Sequence, residues 1–123
     1  MRYMLLIYQN ENIKESQTPE ERIKSESHAY SYIQETMQRG VFKAADPLEP
    51  TRAATTVRTQ NGKVTITDGP FAETKEQLAG YFILDCKDLD EALEWAAKFP
   101  MECSGGAGSV EVRPLRDLPR KAA

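Results

Sequence analysis

The chain has 123 residues, 40% of them apolar and 28% charged, with a formal net charge of −3 at pH 7. That is one globular domain able to build its own core, and its slight acidic balance excludes a nucleic-acid module, which carries a basic surplus or stripe. No apolar run approaches the roughly 18 residues of a membrane span, and Cys86, Cys103 and a single histidine match no zinc-ligand spacing; a cytoplasmic protein with free thiols, no metal and no cofactor is expected.

Residues 2–8 read as a first strand. Tyr3, Leu5 and Ile7 point one way and Met4, Leu6 and Tyr8 the other, so both faces are apolar. Gln9-Asn10-Glu11-Asn12 follows with no small-residue cleavage site, which favours a buried strand over a signal peptide. A loop is expected over 9–17. Thr18-Pro19-Glu20-Glu21 then supplies an N-cap, a proline at the first helical position and a glutamate to close a capping box. The helix is expected over 19–39, with Gly40 as its left-handed C-terminal residue. On a helical wheel Ile23, Tyr30, Ile33 and Met37 fall within about 80° of one another and form the expected buried stripe.

A short strand over 41–45 is ended by Asp46-Pro47-Leu48-Glu49-Pro50, where two prolines forbid regular structure. Segments 53–60 and 63–67 flank Asn61-Gly62, the strongest two-residue hairpin signal because a type I′ turn needs positive φ at both positions. In that register Val57 faces Ile66 and Thr59 faces Val64 on one side, while Arg58 lies opposite Thr65 on the other. Asp68-Gly69-Pro70-Phe71 breaks the strand, and 72–79 reads as a polar loop or a single helical turn. Residues 80–86 form a second strand that is apolar on both faces. Asp88 caps a second helix, with Glu91 three residues on and a stripe of Leu89, Ala92, Leu93, Ala96 and Phe99. Glycines 105, 106 and 108 lead into a last strand over 109–115. Phosphate loops open a helix instead, so a phosphate cradle is not expected there. The domain is expected to occupy 1–116, with a frayed tail over 117–123.

Without the hairpin, the order is βαββαβ, the α+β ferredoxin-like pattern with both helices on one face of the sheet. An exposed antiparallel sheet alternates apolar with polar residues, yet the strands at 2–8 and 80–86 do not. Something must cover the second face, either a second copy of the sheet in a homodimer or inserted loops; the second copy is the more economical.

The run from Asp68-Gly69-Pro70-Phe71-Ala72-Glu73-Thr74-Lys75 to Gly80-Tyr81-Phe82 resembles the signature of the DGPF branch of the YCII-related family. Later blocks, Asp88-Leu89-Asp90-Glu91-Ala92-Leu93 and Val110-Glu111-Val112-Arg113-Pro114, are similar to that family in the same order. The resemblance implies a ferredoxin-like dimeric α/β barrel. It implies no settled activity: many members are encoded near extracytoplasmic-function sigma factors, and a few wider relatives resemble lyases of small aromatic compounds with a His–Asp pair at the pocket.

His28 is the single histidine, so any imidazole base must be this one. It lies about 170° from the expected buried stripe, on the side of Tyr32, either solvated or facing a pocket or subunit seam. Asp68 either forms the turn before Gly69-Pro70 or stands beside a pocket as the carboxylate of a His28–Asp68 proton-transfer pair. Tyr8, Phe71 and Glu73 are the candidate ligand-pocket residues, with Phe71 alternatively a plug in the core or seam. Two functions follow: a dimeric module binding a small ligand near the seam, tied to a sigma-factor response, or a cofactor-independent lyase or isomerase using His28 and Asp68 on a small aromatic substrate.

Overall fold

The computed structural model describes residues 1–119; residues 120–123, which hold most of the expected frayed tail, and the side chain of Cys103 lie outside the described residues. Strands β1 (Arg2–Gln9), β2 (Phe42–Pro47), β5 (Gln77–Asp85) and β6 (Ser109–Pro114) form an antiparallel sheet in the order β2-β5-β1-β6. The two strands that are apolar on both faces take the central positions. Helices α2 (Pro19–Gln38) and α3 (Leu89–Ala97) share one core with the sheet face carrying Tyr3, Leu5, Ile7, Phe82 and Leu84. This mixed α+β arrangement of antiparallel strands is consistent with the expected ferredoxin-like fold. No helix among the described residues is long and apolar enough to cross a membrane.

The hairpin forms as its sequence dictates. Strands β3 (Thr55–Gln60) and β4 (Lys63–Asp68) make a separate two-stranded sheet in which Val57 pairs with Ile66, Arg58 with Thr65 and Thr59 with Val64. Asn61 and Gly62 both take positive φ, 52° and 77°, as a type I′ turn requires. The apolar side chains of this hairpin are not covered, and Ile66 is 71% exposed. On the main sheet, the face that both helices leave uncovered carries Met4, Leu6, Tyr8, Tyr81 and Ile83, all half-buried in the single chain.

Helix α2 starts as expected: Glu21 N–H donates to Thr18 Oγ1 at 3.1 Å, and Thr18 N–H donates to Glu21 Oε1 at 3.2 Å. Its rotation is the main correction to the sequence reading. Ile23 is 67% and Tyr30 63% exposed, whereas Tyr32 and Thr36 are buried. The inward face is turned about 120° from the aliphatic stripe. Aromatic packing and polar satisfaction explain why. The Tyr32 ring stands edge-on to Phe82 at 5.2 Å and Phe99 at 5.4 Å, while its hydroxyl donates to the Trp95 carbonyl at 2.6 Å. Thr36 Oγ1 donates back to the Ile33 carbonyl at 2.7 Å, so it too is buried without an orphaned group. In α3, likewise, Ala92 and Trp95 are buried while Leu89 and Leu93 stay about half exposed.

Two segments expected to be loops are ordered. Asn10 accepts from Ile13 N–H at 3.1 Å and caps a short helix, α1 (Glu11–Glu15), within the expected 9–17 loop. β5 begins at Gln77, three residues before the expected start, because Gln77 and Leu78 pair with Gln9 and Tyr8 across a bulge at Ala79. Cys86 is buried, and that burial pushes its thiol up to about 11, which leaves it unreactive at neutral pH.

Candidate functional site

The space between α2 and the sheet is filled unevenly, and side-chain size decides where. At one end Tyr32, Phe82, Trp95 and Phe99 pack edge to face. Toward the N-terminal half of α2 the facing residues are small: Ser25 and Ala29 on the helix, Ala45 on β2, Gly80 on β5. These cannot fill the gap, and a cavity of about 470 Å³ remains, within the usual size range of small-ligand sites. Ile7, Ala29, Ile33, Phe82 and Phe99 give it apolar walls. Gly80 sets one edge: a Cβ there would lie 2.8 Å from the Asp46 carbonyl oxygen, so β2 and β5 approach this closely only around a glycine. The Ala79 bulge lies beside it and kinks β5 along the same wall.

A few polar residues line the edges of this space. Of these, Tyr81 and Asp46 belong by register to the other face of the sheet, where Tyr81 donates its hydroxyl to Asp46 Oδ2 at 2.9 Å, a hydrogen bond that raises the phenol above its ordinary pKa. Glu26, Glu102, Lys14 and Arg22 also line the cavity. Gln17 Nε2 donates to Ser25 Oγ at 3.0 Å, tying the segment before α2 to its second turn.

His28 lies on the inward side of α2, one turn before Tyr32, as a consequence of the helix rotation. Its Nδ1 is shielded from solvent and stands 3.2 Å from Glu102 Oε1, but out of line for a hydrogen bond. Within one chain, then, the carboxylate beside the imidazole is Glu102. The structure does not bring His28 and Asp68 together. Asp68 ends β4 opposite Thr55, and the turn after it is held by one backbone and one side-chain hydrogen bond: Gly69 N–H donates to the Ala54 carbonyl at 2.8 Å and Thr56 Oγ1 to the Gly69 carbonyl at 2.8 Å.

None of Tyr8, Phe71 and Glu73 lines the cavity of its own chain. Tyr8 is on the uncovered sheet face, its hydroxyl 3.5 Å from Glu111 Oε1. Phe71 is 75% exposed beneath the Arg58 guanidinium, which lies 5.5 Å from its ring and donates to its carbonyl at 2.9 Å. Glu73 is exposed in the segment that follows. Sequence reasoning missed Asp46, Tyr81 and Glu102. Asp46 was hidden in a proline-rich strand end and Tyr81 in an apolar strand, and nothing local marks Glu102. Their proximity arises only from strand pairing and the return of the chain after α3.

The model of the YCII-related domain matches residues 1–118 of the chain. An uncharacterized protein of Rhizobium meliloti (strain 1021) is 37% identical over 115 residues, covering 94% of this chain and 92% of the relative. Among solved structures, the fold is similar to 5-chloro-2-hydroxyhydroquinone dehydrochlorinase (TftG) from Burkholderia phenoliruptrix AC1100 in complex with 2,5-dihydroxybenzoquinone. The TM-score is 0.54, at 12% identity over 94% of each chain.

Proposed function

Because the chain belongs to the YCII-related domain family, we propose that it binds a small ring compound in the cavity between α2 and the sheet, and that it does so as a homodimer closed over the bare sheet face. The observation that carries this reading is the cavity itself: about 470 Å³, apolar-walled, with a few polar groups at its edges. The structural likeness to a dehydrochlorinase solved with 2,5-dihydroxybenzoquinone supports a ligand of that size. Asp46 and Tyr81 sit on the uncovered face by strand register and also line the cavity, which supports a pocket beside the seam of such a dimer. The Asp68-Gly69-Pro70-Phe71 run supports membership of the DGPF branch, and the buried unpaired Cys86 supports a reducing, cytoplasmic setting.

The test is to close the cavity. Ala29→Phe puts a ring into the space from the helix side without touching the aromatic end of the core. Titration calorimetry with 2-naphthol and with hydroxyhydroquinone is expected to show binding to the native protein and at least a tenfold loss in Ala29→Phe, roughly the value of one well-buried ring contact. Unchanged binding by the variant would place the ligand elsewhere.

A second reading is a cofactor-independent lyase or isomerase, and it is favoured by His28 standing beside Glu102, which lines the cavity. There His28 accepts a proton from the ring compound, Glu102 stabilises the imidazolium, and the proton is returned to a second atom. Asp68, which stands on the hairpin, would join this site from the hairpin of a second copy. His28→Gln is then expected to slow solvent-deuterium incorporation into hydroxyhydroquinone by about a hundredfold, read by NMR. An unchanged rate leaves the protein a binding module.

A further inference from the structure

A second cavity, of about 340 Å³, adjoins the first where α1 meets the start of α2 and the segment 48–52. Gln9, Lys14, Arg22 and Ala79 line both. This shared wall therefore carries two cations and no acid.

Two of the nearest acids, Glu11 and Glu15, have other partners. Glu11 accepts from Thr51 N–H at 2.6 Å and from Thr51 Oγ1 at 2.7 Å. Glu15 is ion-paired with Arg52, and the pair raises the already high pKa of that guanidinium. Glu49 lines only the smaller cavity, and Glu26 and Glu102 only the larger. Among the described residues, no carboxylate lies within ion-pair distance of Lys14 or Arg22. Two cations on different elements, neither with a carboxylate at ion-pair distance, thus meet at the polar end of an apolar cavity. An arginine fork presents two parallel donors that match a carboxylate, and a lysine adds a point charge beside it.

We infer that this junction holds the carboxylate of the ligand, so that the compound bound is a cyclic carboxylic acid with its ring in the larger cavity and its anionic group between Lys14 and Arg22. The inference rests on the ring-binding reading of the cavity and adds the charge of the ligand to it. The neutral ring supplies apolar burial, and the carboxylate supplies orientation by fixing which end faces α1.

The test uses matched probes on the full chain, 1-naphthoate against 1-naphthamide, titrated by calorimetry at low salt. The native protein is expected to bind the naphthoate about tenfold more tightly, as charge-assisted hydrogen bonds from partly exposed groups permit. In the double variant Lys14→Gln, Arg22→Gln that ratio is expected to fall to about one, with naphthamide binding unchanged, which also shows that the variant is folded. Equal affinities in the native protein overturn the inference, and so does a naphthoate preference that survives in the double variant; in either case naphthamide still binds and ring binding stands. Binding of neither probe overturns the ring-binding reading, and this inference falls with it.

Discussion

Ile83→Lys is expected to convert the proposed dimer to a folded monomer, with the dimer dissociation constant raised at least about a thousandfold. Ile83 lies on the sheet face that both helices leave uncovered, paired with Met4 on β1 and Ala44 on β2. In one chain it is half-buried, so a lysine there can reach water and the protomer fold is retained. In a face-to-face dimer, two-fold symmetry brings two such ammonium groups into one apolar seam. Burying an unpaired charge costs several kcal/mol per ion, and the interface carries that cost twice. Sedimentation equilibrium at micromolar concentration checks it, with circular dichroism confirming the protomer. A native chain that sediments as a monomer, or a variant that remains dimeric, would remove the sheet face as the interface.

Gly80→Ala is expected to destabilise the protein by about 2–3 kcal/mol and to abolish ring binding together with it. The backbone of Gly80 is not in a positive-φ conformation, so the cost lies in contact alone. The added methyl would meet the Asp46 carbonyl at 2.8 Å and Pro47 Cα at 3.1 Å. Both are backbone atoms, which cannot swing away as a side chain would. Edge strand β2 must therefore move outward, taking Ala45, Asp46 and the Tyr81 hydrogen bond out of register with the cavity wall. Thermal unfolding is expected to show a midpoint lowered by about 10 °C for a chain of this size. A midpoint within 2 °C of native would mean that β2 yields freely there.

Much of the fold was legible because local chemistry specifies it. Asn61-Gly62 fixed the hairpin and its register residue for residue, and Thr18, Pro19 and Glu21 fixed the start of α2. The two-faced strands marked the centre of the sheet. What was not legible is the side of α2 that faces inward. A wheel that counts aliphatic residues favours Ile23, Tyr30 and Met37; the chain instead buries Tyr32 and Thr36, whose polar atoms find partners only in the folded state. That rotation also decides the site. It carries His28 from the expected outer side to the inward side of the helix and sets it beside Glu102, a cavity-lining residue 74 positions away that no spacing could have linked to it. Asp46 and Tyr81 were equally hidden, since their meeting depends on a pairing between β2 and β5.

The position of β1 in the sheet has a consequence for how the chain is made. Its early residues need much later ones: Tyr3 pairs with Leu84 on one side and with Pro114 on the other. While the chain is still emerging from the ribosome, α2 and the Asn61-Gly62 hairpin have local partners and can form early, but β1 has none until β5 and then β6 are released. An apolar segment from Tyr3 to Tyr8 therefore waits, unpaired, until those strands have been made. Contacts of such long sequence separation slow folding, because the loop must be closed before they are gained. Nascent chains stalled before β5 are accordingly the species in which this protein is most exposed to aggregation and most dependent on chaperones.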